Sequence, residues 1–470
     1  MLTSTATYPV GGTDIDRFDC RQVWYPIYYV KDLDKKQPQR FTLLEEDLVI
    51  WWDKNQQEWR VFEDKCPHRL APLSEGRVNE SGHLECPYHG WSFSGGGNCE
   101  FIPQQPENSQ ANTSRRACVR SFPTAIRQGL LFVYAGNPEN APLTAIPIIE
   151  PLEEDADAWI CLDTFRDLPY SAVTLMENII DSSHIPYTHH LTIGNRANAA
   201  PLELEIIESN RQGFKGIWPE GPRKGQLGQQ YSNFIAPGFI YHDLTSEKFG
   251  RTLTAVYATP IRQGECRLFA RFPFKFNSKL PKFFIKLTPT WYSHINQNAI
   301  LEDDQIFLYY QERYLQARGD SKNFSQACYL PTKADLFVFE YRNWVNQYQA
   351  DPFAGQPFPP RQSKEILLER YHSHTKNCAV CQGALKNINR LRGLTLAIAI
   401  ILGLSLPLLA LICGQSALIA VTVLTALTVI MVAAYWRLGE LKKQFYQGRE
   451  LLPRNTVDTP VAESEGFLVH

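Results

Sequence analysis

What this 470-residue chain lacks most is an excess of charge: 47 Lys and Arg stand against 49 Asp and Glu, for a formal net charge of -2. That balance excludes the basic surplus that draws proteins to nucleic acid, and no acidic tail argues for disorder. Internal repeats and low-complexity tracts are missing too. The first residues, MLTSTATYPV, have neither the charged-then-apolar order of a secretory leader nor the length of a transit peptide, so a bacterial product or an already processed form is expected. Without a leader, the eleven cysteines are expected to be free thiols or cofactor ligands in a reducing compartment, not a disulfide framework. At roughly 100–200 residues per domain, the length suggests two or three folded units.

A mean hydropathy of -0.28 conceals an abrupt change near residue 394. Residues 394–413 and 417–436 are two runs without one charged side chain, and ~20 helical residues at 1.5 Å each cross a hydrocarbon core of ~30 Å. Only Gly414, Gln415 and Ser416 separate the runs, so an antiparallel hairpin of two transmembrane helices is expected, with membrane lipid as a partner. Lys386, Arg390 and Arg392 precede the first run and Arg437, Lys442 and Lys443 follow the second, which assigns their shared side to the cytoplasm or its organellar equivalent. The alternative is a buried helical pair in a globular core. Such helices rarely lack every charge over two full spans. Upstream, residues 20–145 read as an all-β unit of short strands (VWYPIYYV, DLVIWWD, EWRVFED, GLLFVYAG). Residues 150–365 mix β-rich FGRTLTAVYATP and ECRLFARFPF with helix-like SAVTLMENIIDSSHI, an α+β unit left through the Pro-rich residues 351–362. Residues 366–393 are then expected to be a CxxC-containing linker, 394–436 the two spans and 437–470 a C-terminal tail.

Chemistry concentrates in two places. The first is CPHRLAPLSEGRVNESGHLECPYHGWSF, which sets Cys66 with His68 and Cys86 with His89, the pairs separated by residues 69–85. Two loops so placed can clamp one metal centre from opposite sides. Four such ligands suit tetrahedral zinc, or a 2Fe-2S cluster with Cys66 and Cys86 on one iron and His68 and His89 on the other. Zinc fingers group like with like. Here each loop gives one cysteine and one histidine, as a Rieske centre requires, and the neutral imidazoles raise its potential. Cys20, Cys99, Cys118 and Cys161 have no such spacing and are expected to be buried thiols.

The second place is MENIIDSSHIPYTHH. Asn178, Asp181 and His184 recur every three residues on an expected helix that Pro186 ends, and His189 can swing back from the following turn. Two histidines and a carboxylate form the facial triad of non-heme Fe(II) oxygenases, with positions left open for O2. The carboxylate is expected from AILEDDQIFLYY, with Asp304 preferred and Asp303 the runner-up; a solvated acidic turn is the plain alternative, as structural histidines are for His184 and His189. His190 is expected to be a bystander. Cys378-Ala-Val-Cys381 admits three readings: a redox-regulatory disulfide, free thiols, or a metal site with His372 or His374. No βαβ pattern surrounds it to suggest a thioredoxin fold.

Together, CPH…CPYHGWSF, NxxDxxHxxxxH and a Cys378/Cys381 pair just before two C-terminal spans resemble the Rieske non-heme iron oxygenases of the pheophorbide a oxygenase-like group, whose relatives include chlorophyllide a oxygenase and envelope-translocon-associated oxygenases. The lack of a targeting extension fits a cyanobacterial-type member. The resemblance implies an all-β Rieske domain, then a helix-grip-like α+β domain holding mononuclear Fe(II). It also implies that Asp181 bridges a cluster histidine to iron-bound His184 across neighbouring subunits of a head-to-tail homotrimer, and that Asn178 is a polar residue near the iron. A ferredoxin-like donor, O2 and a hydrophobic tetrapyrrole are the implied partners, with pheophorbide a, opened at its macrocycle, the favoured substrate. The rivals are oxygenation or hydroxylation of a chlorophyllide side group, and a membrane redox relay or sensor that oxygenates nothing. A pure relay has no need of the second cluster. The expected location is the cytoplasmic side of a cyanobacterial cytoplasmic or thylakoid membrane, or the stromal side in a plastid.

Overall fold

Stretches rich in Trp, Tyr, Val and Ile become strands where both faces of a pleated surface can be covered. Trp24–Tyr29, buried at every position, pairs antiparallel with Leu130–Tyr134, also buried throughout, and Thr124–Arg127 completes that sheet. Gln39–Leu43, Glu46–Asp53, Glu58–Glu63 and Ser121–Phe122 form a second antiparallel sheet. A third, of two- and three-residue strands (Arg77–Val78, Leu84–Glu85, Ser92–Phe93, Cys99–Phe101), carries the loops with the first ligand set. A computed structural model describes residues 17–318, 324–413 and 418–456; the opening decapeptide and the Gly414–Ser416 turn lie outside the described residues.

The second unit is built on a seven-stranded antiparallel sheet. Its spatial order is Ile160–Leu168, Glu265–Phe276, Gly250–Arg262, Phe239–Ser246, Gln230–Ile235, Gly213–Trp218 and Glu205–Asn210. Five helices accompany it: α1 (Ala172–Ile180), α2 (Ile185–Thr188), α3 (Lys279–Leu287), α4 (Thr290–Ala317) and α5 (Leu336–Gln347), of which α1, α4 and α5 bury side chains. Helix α1 starts where Ser171 accepts from the Thr174 N–H and packs Val173, Leu175, Met176 and Ile180 into the core. The two units share packing and hydrogen bonds: Tyr29 donates its hydroxyl to the Ala270 carbonyl at 3.2 Å, Thr259 donates to Pro26 at 2.7 Å, and Arg267 donates to Ile27 at 3.1 Å. The all-β unit followed by an α+β unit matches the expected class.

Helix α6 (Ala379–Cys413) starts well before the uncharged run, and α7 (Leu418–Lys443) packs along it. Both are long and apolar enough to cross a membrane, and they turn Ile401, Leu404, Leu411 and Ile419 outward. In water such an apolar surface would be a liability. Residues 366–378 form short turns with Leu367, Leu368 and Thr375 buried against the second unit. Beyond α7 the chain returns to that unit. The Arg370 N–H donates to the Tyr446 carbonyl and the Gly448 N–H to the Leu368 carbonyl, both at 2.8 Å.

Candidate functional site

Cys66 and Cys86 stand at equivalent points of two like loops. The Cys66 N–H donates to Ala71 and the Cys86 N–H to Trp91, while the Cys66 carbonyl accepts from Leu70 and the Cys86 carbonyl from Gly90. Each loop turns four residues after its cysteine through a left-handed residue, Leu70 (φ 60) and Gly90 (φ 75). Leu70 tolerates this with its side chain in solvent. At Gly90 an added Cβ would meet the Pro103 ring at 2.9 Å. The repeat brings the His68 and His89 rings edge to face, with centroids 4.6 Å apart, and Trp91 stacks on His68 at 4.6 Å.

The cysteines lie within a cluster of Val49, Trp51, Phe62, Leu73, Leu84 and Phe93, whereas His68 is exposed and His89 half-buried. Burial pushes the Cys66 thiol up, so a thiolate here needs a cation beside it. Two buried cysteines and two outer imidazoles are a donor set that would hold a 2Fe-2S cluster. Of the other cysteines singled out, Cys20 and Cys99 are buried, while Cys118 and Cys161 are only partly so.

The second set departs from the expected single helix. Helix α1 ends at Ile180, Asp181 is its C-cap, and His184 is the N-cap of α2. Pro186 therefore does not terminate a helix. It sits in the first turn of α2, where a missing N–H costs nothing. The break turns His184 and His189 toward each other, ring centroids 5.2 Å apart. Asp303 and Asp304 come from the middle of α4, with the runner-up and the preferred ligand on opposite sides of one imidazole. Asp303 Oδ2 is 3.2 Å from His189 Nδ1, and Asp304 Oδ2 is 3.2 Å from His189 Nε2.

That pairing orients the ring: Nδ1–H donates to Asp303, leaving Nε2 free beside Asp304. His184 is set the same way, its Nδ1–H donating to the Asp181 carbonyl at 2.5 Å with Nε2 3.9 Å from Asp304 Oδ1. One ligand atom each from His184, His189 and Asp304 lie within 4.8 Å of one another. Burial alone would lower both histidines; Asp303 and Asp304 outweigh it and raise His189 to about 9, and Asp181 and Asp304 raise His184. Such a negative field suits a dication, and two imidazoles with one carboxylate are the donors of a mononuclear Fe(II) site.

Around this set, Asn178 Nδ2 donates to Asp304 Oδ1 at 3.4 Å. Asp181 is one-quarter exposed; Oδ1 accepts from the Ser183 N–H and hydroxyl at 2.7 and 2.6 Å, and Oδ2 lies 3.7 Å from His184 Nδ1. Burial would raise its carboxyl, but the nearby His184 imidazole and the Ser183 hydrogen bonds bring it below the usual range. Among the described residues, no hydrogen bond or ring contact links His68 or His89 to Asp181. His190 is buried, and its Nδ1 accepts from the Arg196 N–H at 3.3 Å.

Three neighbours escaped the sequence reading. Thr192 Oγ1 lies 2.8 Å from Asp303 Oδ2. His242 supports the end of α1 through Nε2 to the Ile179 carbonyl at 2.9 Å. Arg454, from the returning tail, donates to the carbonyls of Asp303 and Thr188. Only the run of acidic residues in α4 gave any signal for this layer; nothing in the spacing pointed to residue 454.

A profile described as a Rieske [2Fe-2S] domain matches residues 23–123, and one described as pheophorbide a oxygenase matches residues 234–322. The chain is 36% identical over 409 residues to pheophorbide a oxygenase of Arabidopsis thaliana, covering 80% of this chain and 74% of that protein. It is 34% identical over 439 residues to the protochlorophyllide-dependent translocon component 52 of the same plant, covering 80% and 75%. The crystal structure of dicamba monooxygenase bound to dicamba shares its fold, with a TM-score of 0.56 at 23% identity over 70% of this chain and 97% of that one.

Proposed function

Because the chain belongs to the Rieske non-heme iron oxygenases of the pheophorbide a oxygenase group, we propose that it oxygenates a large hydrophobic tetrapyrrole, pheophorbide a foremost, at its macrocycle. As a member it carries a 2Fe-2S cluster and a mononuclear iron, uses O2 and draws electrons from a ferredoxin-type donor. The observation that carries the substrate reading is the convergence of His184, His189 and Asp304 in a chain so similar to a pheophorbide a oxygenase. An electron relay would gain nothing from three ligands that leave coordination positions open.

When bound, the cluster supplies single electrons and the lone iron supplies O2 activation. The chain's own residues do the rest. Cys66, His68, Cys86 and His89 hold the cluster; His184, His189 and Asp304 hold the iron. Asp303 fixes the His189 ring, and Asn178 steadies the inner oxygen of Asp304. Asp181, as a carboxylate beside His184, holds the proton of an imidazole on its outer side and is the bridge to a cluster histidine.

That histidine belongs to a neighbouring subunit in a head-to-tail trimer. Two exposed rims support this: Leu70 and Tyr88 (71% and 57% exposed) beside the cluster histidines, and Tyr187 and Leu191 (60% and 50%) on the segment around His189 that follows Asp181. The working units are residues 20–145 for the cluster and 150–365 for the iron. The α6–α7 hairpin anchors both in a membrane, cyanobacterial or the stromal side of a plastid one. Helix α3 rests on the same surface, since it exposes Leu280, Phe283, Phe284 and Leu287 between Lys279, Lys282 and Lys286.

The test is turnover of the full-length protein in detergent with a reduced ferredoxin, 18O2 and pheophorbide a. A pigment product carrying label is expected. O2 consumption without label in pheophorbide a would overturn the substrate, and label in chlorophyllide a instead would move the reaction to a side group.

A further inference from the structure

Apart from the iron sites, four ligating side chains meet where the second unit joins the hairpin. His294 lies in α4, ten positions before Asp304, and His374, Cys378 and Cys381 come from the turns and first residues that begin α6. All are buried, none more than 2% exposed. The Sγ atoms of Cys378 and Cys381 are 3.4 and 3.5 Å from His294 Nδ1, and Cys381 Sγ is 3.3 Å from His374 Nε2. All four ligand atoms fall within 4.8 Å of one another. Zn–S bonds of ~2.3 Å and Zn–N bonds of ~2.0 Å give a tetrahedron with edges of about 3.3–3.8 Å, so this constellation needs only a small contraction to close on an ion.

The imidazoles are already aimed. His294 Nε2–H donates to the Asp163 carbonyl at 2.9 Å and His374 Nδ1–H to the Phe165 carbonyl at 2.6 Å, both on the strand Ile160–Leu168. Each ring is thereby fixed in the tautomer that turns its lone pair on the sulfurs, the backing that metal-binding histidines ordinarily have. Two buried thiols can offer these nitrogens only weak S–H donors, whereas two thiolates and two imidazoles around a dication form a neutral, satisfied group. His372 has no part in it; its side chain is 73% exposed and paired with Glu369.

We propose that His294, His374, Cys378 and Cys381 bind a structural zinc ion. Four protein ligands leave no open position for substrate, which separates this site from the iron that activates O2. The ion clamps α4, the helix that supplies Asp304, to α6, the helix that becomes the first span. The membrane anchor is thereby fastened to the helix that carries an iron ligand.

The test is metal analysis and zinc X-ray absorption on the full-length protein, isolated in detergent with its iron in place. About one zinc per chain is expected beside the iron, with two sulfurs at ~2.3 Å and two nitrogens at ~2.0–2.1 Å. In the double variant C378S/C381S zinc should fall at least about tenfold while the paramagnetic signal of the reduced 2Fe-2S cluster persists. The proposal is overturned by zinc below about a tenth of an equivalent, by iron in its place, by an all-nitrogen-and-oxygen shell, or by a Cys378–Cys381 disulfide in the freshly isolated protein. The wild-type measurements decide the matter even if the variant fails to fold.

Discussion

Asp303 and Asp304 are neighbours in sequence with different tasks, because successive helical residues point about 100° apart and here flank one imidazole. Asp304→Ala should remove the lone iron and leave the cluster, so that iron falls by about one atom per chain and turnover ceases. Asp303→Asn should retain a weakened site, with iron affinity or activity down about 10–100-fold, because only the backing of His189 changes. Iron titration followed by turnover separates the two. His242 makes a different test. Burial, the main cause, holds it below the usual histidine value, and nearby His184 adds to this. Below about pH 6.5 the unfolded chain takes up a proton there that the folded chain refuses. Stability present at neutral pH therefore declines as pH falls through that window, and His242→Gln should flatten the loss of thermal midpoint between pH 7 and 5. At this scale the grouping of the motif side chains was legible, because cysteine and histidine at fixed short spacing have few other uses, and the fold does bring them together. Thr192, His242 and Arg454 were not legible, and Asp303 was so only as a second candidate ligand, since what matters about each is a contact made across the fold.

Helix α4 shows why elements were harder to read than ligands. Glu302, Asp303, Asp304 and Gln305 are all buried, four polar residues in a row where a helix ordinarily alternates. Each has a partner from elsewhere: Glu302 takes Arg166 and Arg370, and Gln305 donates to the Leu367 carbonyl. A sequence pattern that breaks the rule at a functional site could have been a strand, a helix or an acidic turn. The break after α1 was equally hidden, because proline is as welcome in a first turn as it is unwelcome later. The strands and the two apolar runs, by contrast, follow their periods and compositions. The returning tail leads to a prediction about the hairpin. Arg370 donates to the carbonyls of Gln444 and Tyr446, Thr375 to that of Phe445, Gly448 to that of Leu368 and Arg454 to that of Thr188. At about 1 kcal/mol for each such bond, truncation at residue 393 should cost several kcal/mol and the iron site with it. Replacing residues 394–436 by a short flexible link, with 437–456 kept, should instead give a soluble protein that retains both iron centres. Equal loss of iron from the two forms would contradict this role for the tail.

For the whole molecule, neither exposed His68 nor half-buried His89 makes a direct link to partly exposed Asp181 among the described residues. If the link forms between copies, a His68→Ala chain mixed with an Asp181→Asn chain should recover part of the wild-type turnover that neither shows alone, since mixed trimers contain one intact junction. No recovery after verified subunit exchange would place the electron path within a single chain. The all-β unit, the α+β unit and the hairpin were each readable from pattern and length, but their assembly was not, because it rests on single contacts such as Tyr29 with Ala270 and Thr259 with Pro26. Oxygenation by this protein requires two different iron centres in one polypeptide. Iron, inorganic sulfide and paramagnetic resonance measured together on the reduced full-length protein test it directly. About three iron and two sulfide per chain, with the anisotropic signal of a histidine-ligated 2Fe-2S cluster, are the expected result; zinc at Cys66 and Cys86, or a reduced protein without that signal, would contradict it.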